Sequence, residues 1–306
     1  MKARRTTSLK LYETYTTKWK AFCLERQWDF IHATIPQGLL FLQSLVDSGV
    51  GYSVINTARS ALSALLILPN GAQFGAQADV CLFLKGVFNI KPTQPRYVST
   101  WDPSQVLKFL ESWVPAHNIS LEKLTLKVIM LILLLSGQRP QIITKLSLDR
   151  MKQGQDYFEF ILELTDLKQG RVNYRPGTIR LQQYPSNKRL CIFNYMLEYV
   201  QRTALIRHGQ NTLILTHKKP HRPATQNSIA RWIKQLLTEA GIDTKTFSAG
   251  STRSAATSKA HEQGAPIQQV MDMGGWTQMS TFTKFYNRPI LPMSCAARIL
   301  NSVDPE

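Results

Sequence analysis

Acidic residues are scarce in this chain of 306 residues, where 20 Asp and Glu stand against 37 Lys and Arg and give a net charge of +17 at pH 7. The basic excess is present both before and after residue 97. A charge of this size is unusual for a metabolic enzyme and favours a polyanionic partner. Because the excess is spread along the chain rather than gathered in a tail, we expect the protein to lie along double-stranded DNA.

Cysteines and long apolar runs are also scarce. The four cysteines lie far apart and form no CxxC pair, so they predict neither a zinc site nor a disulfide framework and favour an intracellular, reducing compartment. The longest apolar run, 128–135, is far shorter than the roughly 20 residues that cross a bilayer. The basic residues at 2–5 lead into no signal-like apolar core. We therefore expect no membrane partner, and a location in the nucleus, or in the nucleoid of a prokaryote.

The common motifs of nucleotide hydrolysis, zinc proteolysis and serine hydrolysis are missing, since the sequence contains no Walker loop, HExxH or GxSxG. This excludes the ordinary members of those classes. The sequence therefore gives no sign of a metal site or of a cofactor.

The first 95 residues predict a helical domain. Aromatic residues recur at spacings of three and four from Tyr12 to Phe22, which indicates one face of a helix. Three further apolar stripes follow before residue 90, separated by Gly, Pro and Asn. We interpret 1–95 as four helices packed on a common core.

The segment 90–100 contains two prolines and no helical period, and we interpret 96–103 as a linker. Beyond it, 121–136 predicts a buried helix, while 157–164 and 178–181 partly alternate polar and apolar residues as strands do. Helical patterns return at 192–205, 225–240, 251–263, 267–273 and 294–303. The predicted fold is mainly α with a small antiparallel β-sheet: a helical domain, then an α+β domain at 104–306 that ends in a helix at 294–303.

Three basic residues stand at the junctions of these predicted elements. Arg139 follows the buried helix in the segment SGQR, and Lys168 lies in the loop between the two strands. Arg253 falls in the first turn of a helix that Ser251 or Thr252 can cap, where it suits a phosphate. Taken singly, Arg139 is more typical of a surface ion pair and Lys168 of a solvated lysine.

Two aromatic residues complete the series. Trp276 precedes Tyr286 by ten residues in the segment GGWTQMSTFTKFYNRP. Singly, each is typical of a core residue.

The order of these residues resembles the Arg, Lys, His-x-x-Arg, His/Trp, Tyr series of the tyrosine recombinase, or phage integrase, family. The resemblance extends over about 101–289, and the helical first domain resembles the SAM-like core-binding domain of that family. Segments such as TWD at 100–102, SGQR and STRSAATSKA at 251–260 are similar to those of eukaryotic mobile-element recombinases of the DIRS-like and Crypton kind.

The resemblance implies catalytic roles for Arg139, Lys168, Arg253, Trp276 and Tyr286. Two guanidinium groups and an indole N–H can stabilise a phosphodiester under attack without a metal. Lys168 would protonate the departing 5′ oxygen, and Tyr286 would be the nucleophile. The implied product is a 3′-phosphotyrosyl link that allows religation without ATP.

Two positions depart from the family pattern. Gly250 stands three residues before Arg253, where the family has His, and glycine has no side chain to donate or accept a proton. The other interpretation of Gly250 is a turn residue in a left-handed conformation. Ile142, three residues after Arg139, replaces an often acidic residue.

Three functions are compatible with these residues. The first is DNA strand cleavage and rejoining in the recombination or integration of a mobile element. The second is a recombinase fold that binds DNA with little or no catalysis, which Gly250 favours. The third is a type IB topoisomerase, which shares the chemistry. The Ser-Lys-x-x-Tyr surroundings of that class are missing from this sequence.

Contacts with DNA are expected from both domains. Arg231 and Lys234, on a helix predicted at 225–240, could enter a groove. The apolar face of the C-terminal helix at 294–303 could dock on a neighbouring protomer in a dimer or tetramer on DNA, or pack on its own domain.

Overall fold

The computed structural model describes residues 6–69, 71–163, 165–166 and 177–290, and side chains from residue 9 onward. The chain divides into two compact units, Met1–Gln94 and Pro95–Glu306. Helices dominate both units, and the described strands form one three-stranded antiparallel sheet. The predicted fold class, mainly α with a small antiparallel sheet, is therefore confirmed.

The described part of the first unit has four α-helices: α1 Thr6–Leu24, α2 Ile35–Asp47, α3 Tyr52–Leu65 and α4 Ala78–Ile90. Trp19 of the predicted aromatic stripe is fully buried, and its indole N–H donates to the carbonyl of Phe30 at 2.8 Å. Thr34 and Gln37 form a capping box at the start of α2, with a proline in the first turn.

The described part of the second unit has seven α-helices: α5 Pro103–Glu111, α6 Leu121–Ser136, α7 Ile192–Thr203, α8 Gln226–Glu239, α9 Ser251–Glu262, α10 Ile267–Gly274 and α11 Met279–Phe285. Its sheet has the order β1-β2-β3, with β1 Met151–Gln153, β2 Tyr157–Ile161 and β3 Thr178–Gln182. The sequence patterns predicted neither α11 nor β1, because each is too short to show a period.

Helix α6 is the centre of this unit. Beyond its first turn every residue except Leu135 is buried, and the helix packs against α7, α8, α9 and β3. The sheet buries one face in the predicted alternation, with Phe158 opposite Leu181 and Phe160 opposite Ile179. The segment that carries Arg139 therefore begins at the end of a helix whose position is fixed by packing.

The segment 96–103 differs from the predicted linker, because most of it packs on the second unit. Trp101 is buried and donates to the hydroxyl of Ser251 at 2.9 Å, and the hydroxyls of Tyr97 and Ser248 are 2.8 Å apart. Thr100 pairs with Ile290 in a bridge. The missing helical period indicated an irregular backbone correctly, but the aromatic side chains of Tyr97 and Trp101 gain more by burial than by exposure.

The predicted helix at 294–303 lies outside the described residues. Among the residues that the structure describes, no helix is long and apolar enough to cross a membrane.

A buried lysine links α5 to α6. Lys127 donates to the carbonyls of Leu110 at 2.7 Å and Trp113 at 3.0 Å, and lies 3.9 Å from the ring of Tyr195. Burial lowers the pKa of Lys127 to about 7. The ammonium satisfies one carbonyl in the last turn of α5 and one just after it, at the cost of desolvating a charge.

We predict that the free energy of unfolding rises between pH 7 and pH 9 because of Lys127. The folded state releases this proton near pH 7, whereas the unfolded chain holds it to a higher pH, so stability increases with pH by up to about 1.4 kcal/mol per unit. Lys127→Met should flatten this rise in urea titrations at each pH. Lys123→Met, at an exposed position on the same helix, should leave it unchanged. Equal slopes in both variants would contradict the prediction.

Candidate active site

Arg139 is placed by a glycine turn at the end of α6. Gly137 adopts a left-handed conformation with φ of 57°, and a Cβ there would lie 3.0 Å from side-chain atoms of both Met273 and Thr257. Only glycine satisfies both constraints. The next residue, Gln138, donates to the carbonyl of Met273 at 3.0 Å, which ties the Arg139 segment to the end of α10.

Arg139 lines a cleft of about 590 Å³. The walls come from the end of α6, from β3 and from the segment 272–281 after α10, and they include Arg180 and Trp276. Arg139 is partly exposed in this cleft. A phosphate group in the cleft would therefore meet guanidinium groups from two different elements.

Arg253 lies in the first turn of α9, and its side chain turns into the protein. The residue is 2% exposed, and its guanidinium donates to the carbonyl of Gly274. The guanidinium carbon lies 4.2 Å from the ring centre of Trp276 and 5.0 Å from that of Tyr286. Both aromatic faces therefore stabilise this buried cation.

Trp276 and Tyr286 are in contact with each other as well. Their ring centres are 4.6 Å apart, and Trp276 also packs on Phe282 of α11. The indole N–H of Trp276 is buried and has no hydrogen-bond partner among the described residues. It is thus a donor available to a ligand oxygen in the cleft that Trp276 lines.

Four of the five residues predicted to be catalytic are therefore brought to one place. Arg139 and Trp276 line the same cleft, and Arg253 and Tyr286 contact Trp276. Lys168 lies outside the described residues. The catalytic roles of all five stay predictions.

Gly250 precedes α9 with φ of −70° and ψ of −18°, so the left-handed turn considered for it is wrong. The position is exposed, and a Cβ would meet only Ser248 Oγ at 3.7 Å. Nothing in the backbone requires glycine here. The expected cap is also wrong, because Ser251 Oγ donates back to the carbonyl of Ser248 and Thr252 Oγ1 to that of Ala249.

Arg231 and Lys234 lie apart from the catalytic candidates, exposed on α8. A basic loop at 216–222, which the sequence analysis missed, lies beside them. Burial holds the pKa of His217 below its usual range, Glu122 opposes this shift, and the charges of Lys218 and Arg231 add to it. Loop and helix therefore share one surface.

The basic loop is ordered by its own hydrogen bonds. The amide of Thr216 donates to the carbonyl of Arg222 at 2.8 Å, and its hydroxyl to those of Lys218 at 3.1 Å and Pro220 at 3.2 Å. Lys218, Lys219 and Arg222 are exposed and form no ion pair within the described ranges. The sequence THKKPHR shows that this loop is basic, but it does not show that hydrogen bonds hold the loop in one conformation.

Residues 102–290 match the Phage integrase family. The match covers more than half of the chain, so the chain belongs to this family, the tyrosine-type site-specific DNA recombinases. No curated protein sequence gives a significant match.

Solved recombinases share the fold. A complex of XerH site-specific recombinase with palindromic difH substrate after cleavage has a TM-score of 0.56 at 12% identity, over 81% of this chain and 67% of that one. A lambda integrase (75–356) dimer bound to a COC′ core site gives 0.55 at 12%, over 94% and 90%. The Tn1549 transposon integrase with transposon right end DNA gives 0.53 at 14%, over 99% and 95%. At these identities the likeness shows the fold alone.

We predict that Gly274→Ala disturbs the site without unfolding the unit. An added Cβ would overlap the ring of Trp276, so the indole must move away from Arg253. Forcing atoms into a packed site costs about 1–3 kcal/mol. Urea unfolding and tryptophan fluorescence should both change.

Gly250→Ala is the matched control, because its Cβ meets only an ordinary contact. Its free energy of unfolding should change by less than about 1 kcal/mol. Equal effects of the two substitutions would show that Trp276 is not held by this close approach.

Proposed function

We propose that this recombinase cleaves and rejoins DNA strands through a 3′-phosphotyrosyl intermediate, with Tyr286 as the nucleophile. The observation that carries the proposal is the contact of Arg253 with both Trp276 and Tyr286, beside the cleft that Arg139 lines. These residues come from different segments of the chain. The fold brings an arginine, an indole and a phenol together beside a cleft lined by two further arginines, an arrangement that suits a phosphate ligand.

In this mechanism the phenol of Tyr286 releases its proton to solvent, its oxygen attacks the phosphorus, and the bond to the 5′ oxygen breaks. Arg139, Arg253 and the indole N–H of Trp276 stabilise the negative charge on the non-bridging oxygens. Lys168 protonates the departing 5′ oxygen. A 5′ hydroxyl that attacks the phosphotyrosyl link reverses these steps and joins the strand without ATP.

The buried state of Arg253 adds a step to this scheme. A phosphodiester can reach the guanidinium only if the ring of Tyr286 or Trp276 gives way, since the residue is 2% exposed. Hydrogen bonds from a guanidinium to phosphate are stronger than its contacts with aromatic faces. Substrate binding therefore favours an open arrangement in which Arg253 faces phosphate.

The second candidate is a recombinase fold that binds DNA with little catalysis, and Gly250 favours it because no imidazole is present. The two candidates differ in one product, a protein covalently joined to a 3′ phosphate. The relation to DIRS-like and Crypton elements and the nuclear location stay predictions.

Tyr286→Phe tests the nucleophile. The substitution removes only the attacking oxygen, so the covalent adduct on a nicked suicide substrate should disappear while DNA affinity stays nearly unchanged. Denaturing gels measure the adduct, and fluorescence anisotropy measures binding. A 3′-linked adduct formed by the Phe variant would refute the assignment and direct attention to other tyrosines, such as Tyr174.

Gly250→His tests the departure from the family pattern. One preorganised donor to a reacting oxygen is typically worth about 10²–10³ in rate. The position is exposed and not left-handed, so a side chain fits there without backbone strain. We expect faster single-turnover cleavage at matched DNA occupancy.

Gly250→Ala adds the Cβ without a donor and should leave the rate close to that of the parent. A histidine variant no faster than the alanine variant would show that the site works without an imidazole at this position.

We further propose that the basic loop at 216–222 and α8 contact the duplex, with the loop on phosphates and Arg231 and Lys234 at bases. Five exposed cations on one surface, part of it fixed by hydrogen bonds, support this assignment. We also propose self-association on DNA through 294–303, because the sequence of that segment predicts a helix with an apolar face.

Salt titration separates the two kinds of contact. Replacing Lys218, Lys219 and Arg222 by Gln should weaken binding to all sequences alike and lower the salt slope by about 0.9 for each phosphate that the variant no longer neutralises. Arg231→Gln should instead reduce the preference for the cognate site over unrelated DNA. An unchanged salt dependence in the loop variant would show that the loop does not contact DNA phosphates.

A further inference from the structure

The backbone of Tyr286 is held by two hydroxyls of α9. Its carbonyl accepts hydrogen bonds from Ser254 Oγ at 2.8 Å and from Ser258 Oγ at 2.9 Å. Both serines are buried, and they lie four residues apart on one face of the helix. Two donors occupy the two lone pairs of this one carbonyl oxygen.

Ser258 makes a second contact on the other side of the tyrosine. Its Oγ accepts from the amide of Arg288 at 3.0 Å while it donates to the carbonyl of Tyr286. One hydroxyl thus spans the two peptide groups that flank Asn287. The chain that leaves α11 is fastened to α9 at this point.

Apart from the serines, the backbone of Tyr286 is held among the described residues only by its connection to α11, where the amides of Tyr286 and Asn287 donate to the carbonyl of Phe282 at 2.8 Å. It follows α11, a helix of seven residues whose only buried side chain is that of Phe282. A helix this short is marginal by itself. The hydroxyls of α9 therefore supply the support that α11 lacks.

The same turn of α9 carries Arg253, which directly precedes Ser254 and contacts the ring of Tyr286. We propose that Ser254 and Ser258 are positioning residues that hold the nucleophilic tyrosine at a fixed distance from the phosphate-binding arginine of the same chain. The inference rests on the proposed function of Tyr286. It assigns a role in strand cleavage to two buried serines, which act only by holding the main chain at Tyr286.

Loss of the clamp should slow attack rather than weaken DNA binding. A displacement of about 1 Å in a reacting group can cost on the order of 10² in rate. We expect Ser258→Ala, which loses a donor and an acceptor, to slow single-turnover adduct formation about 10-fold to 10²-fold, and Ser254→Ala, which loses one donor, to slow it less. DNA affinity should be unchanged in both.

Thr257→Val is the matched control. Thr257 is also buried on α9, but its hydroxyl donates within the helix to the carbonyl of Arg253. Its loss should leave adduct formation close to that of the parent. Equal slowing by Thr257→Val and Ser258→Ala would overturn the proposal, because general loosening of α9 would then explain both. If circular dichroism shows that Ser258→Ala does not fold, Ser254→Ala is compared with Thr257→Val instead.

A small external nucleophile separates positioning of the tyrosine from damage to the arginines. In Tyr286→Phe protein, hydroperoxide anion can attack the phosphorus, form the new P–O bond and displace the 5′ oxygen, which leaves as a hydroxyl. Adding Ser258→Ala should not slow this cleavage, since the peroxide does not depend on the backbone of residue 286. Slowing as large as that of adduct formation would overturn the proposal.

Amide exchange tests the clamp without any need for catalysis. The amide hydrogen of Arg288 should exchange faster in Ser258→Ala than in the parent or in Thr257→Val, because its acceptor has gone. Unchanged exchange would refute the clamp whatever the activity. Faster exchange in the Ser258→Ala variant of a parent protein that forms no adduct would retain the clamp and refute the proposed catalytic function instead.

Discussion

The burial of the Arg253 guanidinium against Trp276 and Tyr286 is the contact on which the arrangement of the candidate site depends. A cation removed from water has to recover its hydration energy, and here two aromatic faces and the carbonyl of Gly274 contribute to that recovery. The contact joins α9 to the turn after α10 and to the residue after α11. Helix α9 is buried over its first eight residues, and Trp276 and Phe282 share a small apolar cluster with Tyr286. The arginine adds a polar contact to this packing and helps to fix the relative positions of the three elements.

The end of α10 is where both arginine segments meet. The last carbonyls of a helix have no partner within it, and at α10 two successive ones accept from other elements: Met273 from Gln138 and Gly274 from Arg253. The negative end of a helix dipole also favours a cation there. One short helix terminus thus sets the positions of the Arg139 segment and of Arg253, and Trp276 follows it by two residues.

Periodicity and residue order predicted the features that depend on local pattern. Spacing predicted the buried helix before Arg139 and the alternation in β2 and β3. The order of the family series predicted that Arg139, Arg253, Trp276 and Tyr286 lie close together. What sequence missed depends on long-range contacts. Trp101 lies in a segment read as a linker, yet it finds a partner in Ser251, 150 residues away. The hydrogen bonds of Thr216 order the basic loop, and charge alone gave no sign of them. The positions of Ser254 and Ser258 looked like an ordinary small-residue helix face.

The backbone and the ring of Tyr286 are held by different kinds of interaction, and this difference suits the proposed chemistry. Directional hydrogen bonds from two buried serines fix the carbonyl, so moving the backbone would leave buried hydroxyls without partners. The ring is held by contacts with Arg253 and Trp276, which are weaker and less directional than hydrogen bonds. When phosphate replaces the phenol at Arg253, the guanidinium exchanges a weaker contact for stronger, charge-assisted hydrogen bonds. In the proposed mechanism the released ring can rotate about a fixed main chain, so that substrate binding itself would free the proposed nucleophile close to the group it attacks.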